Sequence, residues 1–177
     1  MAPKTKWKID PTHTDIAFKV KHMMFTNVSG KIVKYDALVE TTGDDFAGAT
    51  VEFTGDVDSI TTGTADRDAH LLSPDFFDAE KFPTLNFIAT SFKKLDQGDF
   101  EITGDLTLHG ITKQIILGAE FGGLMKDPWG NIKAAFSLSG KINRKDWGLV
   151  WNAALETGGV LVGEEVKLLA EVQLIKQ

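Results

Sequence analysis

Four histidines, His13, His22, His70 and His109, are the imidazoles of this chain, and no two of them stand at the close spacing of metal ligands. There is no cysteine to serve as a thiolate nucleophile. A Gly-x-Ser-x-Gly elbow, a glycine-rich phosphate loop and a dinucleotide fingerprint are missing as well. Acid, base and cation come together only in Asp66-Arg67-Asp68-Ala69-His70. Asp66 and His70, four residues apart, would share one face of a helix, and Arg67, Asp68 and His70 could join Arg144 or Asp146 in a hydrogen-bonded knot. The leading reading of this group is a tie between a helical insert and the rest of the fold. Recognition of a ligand's polar end comes second, and a metal or acid/base site last, so no catalytic residue, metal ligand or cofactor is expected. His22 shares an alternating face with Phe18 and Val20, where a histidine is usually a satisfied core residue but could meet the polar end of a ligand.

The elements that would position these groups are strands. Val166, Leu168, Ala170, Val172 and Leu174 alternate with Lys167, Glu171 and Gln173, with Leu169 the one apolar exception. Phe100, Ile102, Leu106 and Leu108 alternate in the same way with Glu101, Thr103, Asp105 and Thr107, and Ile16, Phe18, Val20 and His22 with Ala17, Lys19 and Lys21. Similar runs cover roughly 28–40, 48–58, 84–95, 112–122 and 130–143, which makes about eight strands. Asp96-Gln97-Gly98-Asp99, His109-Gly110 and Asp127-Pro128-Trp129-Gly130 are links of hairpin length, too short for parallel crossovers. An antiparallel meander follows.

Alternation fails only between about residues 64 and 80. Thr64 can cap a helix whose first turn carries Asp66 and Asp68, and Ser73-Pro74 can open a second helical turn through Asp78 before Phe82-Pro83. A short helical insert between the third and fourth strands is therefore predicted. The 177 residues, 42% hydrophobic and 25% charged, suit one domain over 1–177. A net charge of −6 argues against a nucleic-acid partner. No run approaches the roughly 20 apolar residues of a spanning helix, and the opening residues lack the apolar core of a signal peptide. The expected location is cytoplasmic as written, or periplasmic if a leader has been removed.

Eight antiparallel strands with one apolar face can stack as a sandwich or close as a barrel, and closure removes exposed edges. Twelve Phe and four Trp, with Phe18, Phe53, Phe87, Phe100, Phe121 and Phe136 interleaved with Ala89, Gly104, Ala119 and Gly140 on the inward faces, fit two interiors. One is a core packed by its own side chains. The other is an aromatic-lined channel around an apolar ligand. Pattern alone does not separate them.

Three sets of motifs add a resemblance. They are Trp7-Lys8-Ile9-Asp10-Pro11-Thr12-His13-Thr14 with Phe18-Lys19-Val20-Lys21-His22; Arg67-Asp68-Ala69-His70-Leu71-Leu72-Ser73-Pro74-Asp75-Phe76-Phe77-Asp78; and Gly104 through Lys113, Arg144-Lys145-Asp146-Trp147-Gly148 and Val162 through Val166. In this order, across nearly the whole chain, they resemble the YceI-like family. Two departures are Trp147 where phenylalanine is more usual and the missing secretory leader of many members. The resemblance implies an all-β fold, an eight-stranded antiparallel up-and-down barrel like a lipocalin, that binds or carries a long-chain isoprenoid of quinone, prenol or prenyl phosphate type and is not an enzyme. Strands of about ten residues tilted near 40° would give a pore roughly 25 Å long. The residues expected to meet the chain are Phe18, Val20, Phe53, Phe87, Phe100, Leu106, Leu117, Phe136, Leu138 and Leu168. Those expected near its polar end are His22, Arg67, Asp68 and His70, with a neutral or weakly charged head preferred over a pyrophosphate. A homodimer is left open, and the alternative functions are a stress-response or interaction module with a self-filled barrel and, behind it, a metal- or acid/base-dependent enzyme.

Overall fold

A computed structural model describes residues 3–156 and 158–177. Eleven strand segments form one antiparallel sheet: β1 (Lys4–Ile9), β2 (Asp15–His22), β3 (Thr26–Ile32), β4 (Tyr35–Thr42), β5 (Asp45–Asp56), β6 (Ile60–Thr61), β7 (Thr84–Lys94), β8 (Phe100–Leu108), β9 (Ile111–Lys126), β10 (Ile132–Asn143) and β11 (Val162–Lys176). Eight of them close a ring in the order β1-β4-β5-β7-β8-β9-β10-β11, with β11 returning to β1 through Trp7↔Lys176 and Ile9↔Leu174. The remaining three prolong ring strands. β2 continues the line of β1 along β11, β3 lies between β2 and β6, and β6 follows β5. The architecture is thus the expected closed eight-stranded antiparallel barrel, with three of its long strands broken. β1 was not among the strands read from the sequence.

The breaks have local causes. Pro11 has no N–H to give a ladder, and the 3-10 turn Pro11–His13 starts there with Asp10 as its cap. Val57–Ser59 makes a second such turn between β5 and β6. The β8–β9 link is the two-residue His109-Gly110 turn with φ of 55° and 72°, the left-handed pair that matches hairpin twist. Burial along β8 alternates without exception, and Phe100, Ile102, Gly104, Leu106 and Leu108 point inward.

The insert lies between β6 and β7 in chain order, which is between the third and fourth long strands. Its helix, α1 (Ala65–Leu72), is the first of the two helical stretches expected between about residues 64 and 80. The Thr64 side chain makes no cap bond. Ser73–Asp78 folds as hydrogen-bonded turns instead of a second helical turn: Phe77 N–H donates to Leu71 O and Ala79 N–H to Leu72 O, while Asp78 takes φ 50°. The expected role of Ser73 survives in reduced form, since its Oγ accepts from Asp75 N–H at 3.3 Å.

Asp10 locks the β1–β2 corner to the barrel. It is buried, its Oδ1 accepts from Thr12 N–H and Oγ1, and its Oδ2 lies 2.9 Å from both Lys133 Nζ and His13 Nδ1. Burial alone would raise its pKa. The bonds from Thr12, Lys133 and His13 outweigh burial and hold the carboxyl well below the usual range. The stabilisation is therefore complete above the ordinary value of 3.8 and is lost as pH falls from there towards the folded pKa. Asp10→Asn is expected to cost about 1.5–3 kcal/mol at pH 7, read as a lower urea midpoint at constant m, and to remove this component of acid sensitivity. A variant whose stability between pH 5 and pH 2 runs parallel to the parent's would refute the assignment.

Candidate functional site

The inward faces enclose an elongated cavity of about 230 Å³. Among the described residues its wall is made of Ile, Leu, Val, Phe and Ala side chains, with Ser139 the single polar residue and no titratable group. On β10 the lining runs from Phe136 to Ile142, roughly 20 Å of strand at ~3.3 Å per residue. Room for this lumen comes partly from glycine. A Cβ at Gly30 would collide with the Phe18 ring, and one at Gly104 with the Phe87 ring. Both rings lie over neighbouring backbone because these strands carry no side chain there, so two large aromatics line the wall without filling the middle.

One end of the cavity is closed. Trp7, Phe46, Phe92, Phe100, Phe121 and Phe136 form a continuous aromatic floor, with Phe46 centred 5.0 Å from Trp7, 6.2 Å from Phe92, 5.8 Å from Phe121 and 4.9 Å from Phe136. Phe100 joins through Phe92 at 5.1 Å. Trp7 is fully buried and spends its indole N–H on Thr41 Oγ1 at 2.8 Å, so this polar tip costs nothing in the apolar floor.

The other end lies under two long connections. β9 and β10 pair only from Gly118/Ser139 to Lys126/Ile132 and separate beyond. The 3-10 turn Arg144–Trp147, at the start of the β10–β11 connection, is tied to the β8–β9 hairpin beside that gap: Trp147 is buried, donates to Leu106 O at 3.0 Å, and its own carbonyl meets His109 Nδ1 at 2.9 Å. Arg144 is 4% exposed and makes no hydrogen bond to a carboxylate. It donates instead to the carbonyls of Leu149, Trp151, Val162 and Gly163, at 2.6–3.2 Å, and so shapes the connection into β11. Burial lowers its pKa, although nearby Glu164 opposes this. The insert covers the rest of the opening, with Phe77 lining the cavity and Leu71, Leu72 and Ala79 against the core. His70, Phe76 and Trp151 stack edge to face or tilted at 4.6–5.4 Å and clasp insert and connection together.

Of the residues expected to meet a chain, Phe18, Phe53, Phe87, Leu106, Leu117, Phe136, Leu138 and Leu168 line the cavity. Val20 does not, because it sits two residues nearer the open end, and Phe100 belongs to the floor. His22 is half-buried beside the β2–β3 turn and outside the lining. The expected knot with Arg144 or Asp146 is not formed. Asp68 accepts from Thr61 Oγ1, Thr62 Oγ1 and Thr62 N–H, which together lower its pKa, with the Thr62 side chain the largest contributor. Arg67 donates to Thr62 Oγ1 and to Thr62 O. His70 Nε2 is 2.9 Å from Asp75 Oδ2. These residues fasten the insert onto β6 and onto itself. The sequence reading missed Phe46, isolated among Gly and Asp in Gly43-Asp44-Asp45-Phe46-Ala47-Gly48, and Phe77, hidden in a segment without alternation.

A closed eight-stranded antiparallel barrel around an apolar cavity is a lipocalin-like architecture. The chain belongs to the YceI-like family, whose model it matches over residues 7–174. UPF0312 proteins of Staphylococcus epidermidis and Staphylococcus aureus are 36% and 35% identical to it over 170 residues, 96% of each chain. The YCEI protein of Campylobacter jejuni is 33% identical and superposes with a TM-score of 0.76 over 95% of this chain and 96% of its own. Two more distant structures share the fold: BcnA of Burkholderia cenocepacia (TM-score 0.80, 19% identity, 93% and 98% covered) and a polyisoprenoid binding domain from Saccharophagus degradans (0.69, 12%, 97% and 98%).

Proposed function

We propose that this protein binds and carries a long-chain isoprenoid, tail towards the aromatic floor and polar end beneath the insert. The observation that carries the reading is the cavity itself, elongated, closed at one end and lined without a titratable side chain. A wall of this kind rewards apolar length at about 0.8 kcal/mol per buried methylene and offers no acid or base to activate the lone Ser139 hydroxyl, which favours a carrier over an enzyme. The shared fold of the Saccharophagus degradans domain, described as polyisoprenoid binding, supports the same direction. A quinone or prenol head is preferred to a pyrophosphate. Arg67 and Arg144, the arginines at the covered end, already give hydrogen bonds to Thr62 and to four backbone carbonyls, and binding a dianion would require breaking them.

The test is lipid extraction with mass analysis of protein purified from cells, followed by titration of delipidated protein with a long-tailed benzoquinone, a prenyl pyrophosphate of equal tail and a straight-chain fatty acid. Quinone binding with the pyrophosphate at least tenfold weaker is expected. No extracted lipid and no binding of any probe would leave the self-filled module as the better reading, and equal affinity for the fatty acid would remove the isoprenoid preference.

A further inference from the structure

The β2–β3 turn exposes three large apolar residues in a row: Met23 at 44%, Met24 at 62% and Phe25 at 73%. Two of them hold left-handed backbone, φ 53° for Met23 and 67° for Met24, a conformation that side chains with a Cβ seldom take. The turn is braced in this form. Met23 N–H donates to Leu161 O at 2.8 Å, and the Met24 thioether fills the space that a Cβ on Gly159 would occupy. Val160, itself exposed, extends the patch. A polar tip would be the ordinary solution at a solvent-facing hairpin, so presentation of Met-Met-Phe at a strained turn points to a surface that it meets.

The charge around the tip says which surface. On the outer wall just below it, Lys141, Lys167 and Lys19 stand directly opposite one another across β10, β11 and β2, and Lys21 follows Lys19 on the same face, two residues from Met23. Like charges in cross-strand register oppose folding. Among the described residues Lys19, Lys21 and Lys167 have no carboxylate within 4.0 Å, while Lys141 has only Glu165 at 3.8 Å. Four lysines gathered in this way run against a net charge of −6. The far end of the barrel also exposes apolar side chains, Trp129 and Met125, but there Asp44, Asp45, Asp96, Asp99 and Asp127 lie in the turns themselves, whereas the carboxylates beside the tip strands, Glu164 and Glu165, stand 2.8 Å from Lys145 and 3.8 Å from Lys141.

We propose that the β2–β3 tip docks the protein on an anionic membrane surface. Met23, Met24 and Phe25 enter the interfacial layer, and Lys19, Lys21 and Lys167 face lipid phosphates. Flexible methionines suit an irregular acyl boundary, and the tip lies at the end of the barrel where the insert covers the cavity. The inference rests on the outer surface and stands whatever occupies the interior.

The experiment is co-sedimentation of the full chain with vesicles of phosphatidylglycerol and phosphatidylcholine, and with phosphatidylcholine alone, all free of isoprenoids. Binding to the anionic vesicles, weakened at least tenfold by raised salt and by Met24→Asp/Phe25→Asp, is expected. Lys19→Glu/Lys21→Glu should weaken it at least as much. At position 19 that variant sets a carboxylate opposite Lys167 in place of a like charge, and an unchanged urea midpoint shows that its loss of binding does not come from unfolding. Phe25→Ser is the milder tip variant should the double aspartate fail to fold, with a loss of threefold or more expected. No binding to anionic vesicles, or binding by the folded variants within twofold of the parent, would overturn the proposal. So would a parent dimer in light scattering that the tip variants convert to monomer, which would make the tip a self-association surface. Because these vesicles contain no isoprenoid, failure here leaves the cavity reading intact, and failure to bind quinone leaves the docking intact.

Discussion

Ala170→Trp is expected to lower affinity for a long-tailed quinone about 100-fold while leaving the barrel folded. Ala170 sits in the middle of β11, points inward between Leu138 and Ile16, and lines the cavity. An indole there occupies room that would otherwise hold roughly four methylenes of a bound chain, worth ~3 kcal/mol at ~0.8 each, and tenfold in affinity corresponds to ~1.4 kcal/mol. Because the added atoms enter open space and not a filled core, the overpacking penalty of ~1–3 kcal/mol should be largely avoided. Neighbouring positions are less suitable. Ala119 is 3% exposed at the level of the aromatic floor, opposite Phe100, and a Cβ on Gly140 would already stand 2.6 Å from Leu117 Cδ2. Titration monitored by tryptophan fluorescence, with the urea midpoint as a check on folding, measures both quantities. Undiminished quinone affinity in a folded Ala170→Trp protein would mean that the chain binds somewhere other than this cavity.

The second large effect is expected at Arg144. Its guanidinium satisfies the carbonyls of Leu149, Trp151, Val162 and Gly163, and removal takes this donor from buried Leu149 O and from the partly buried carbonyls of Trp151 and Gly163, while Val162 O keeps Asn152 Nδ2 at 2.7 Å. Arg144→Ala should therefore destabilise the protein by about 3–5 kcal/mol, the range seen when one side of a buried polar cluster is deleted. Lysine should rescue little of this, since three donors on a single nitrogen cannot span the planar fork that reaches both Leu149 O and Gly163 O. Urea unfolding gives the magnitude. Amide hydrogen exchange gives the place, with protection lost first over 148–163 and around the Trp147 indole. A loss below ~1 kcal/mol, or fast exchange confined to β8 and β9, would show that the connection is held by something else.

Side-chain direction along a strand is a local property, and it was legible. The period of two in Phe100–Leu108 and Val166–Leu174 names inward residues without knowledge of any partner, and eight of the ten apolar positions chosen on that basis line the cavity. The hairpin at His109-Gly110 was legible for the same reason. Neighbouring-strand relations are another matter. Phe100 and Phe136 both alternate inward, yet one belongs to the floor and the other also lines the lumen, because height in a tilted barrel depends on stagger between strands. β1 escaped notice since its alternation is carried by Lys and Thr around the single buried Trp7.

What the sequence determined by itself was therefore the all-β pattern, the antiparallel meander, the place of the insert and most of the apolar wall. The tertiary structure decided the open lumen, its closed floor and the partners of the polar groups. Asp10 meets Lys133 across 123 positions, and Trp147 meets Leu106 across 41. Arg67 and Asp68, in contrast, turn to Thr61 and Thr62, only five to seven residues away, and not to the distant Arg144 or Asp146 expected from the sequence. Period and capping act within a few residues and can be read along the chain. Which charge finds which carbonyl, and whether facing aromatics touch or leave a channel, depends on distances between strands that are set only when the sheet closes.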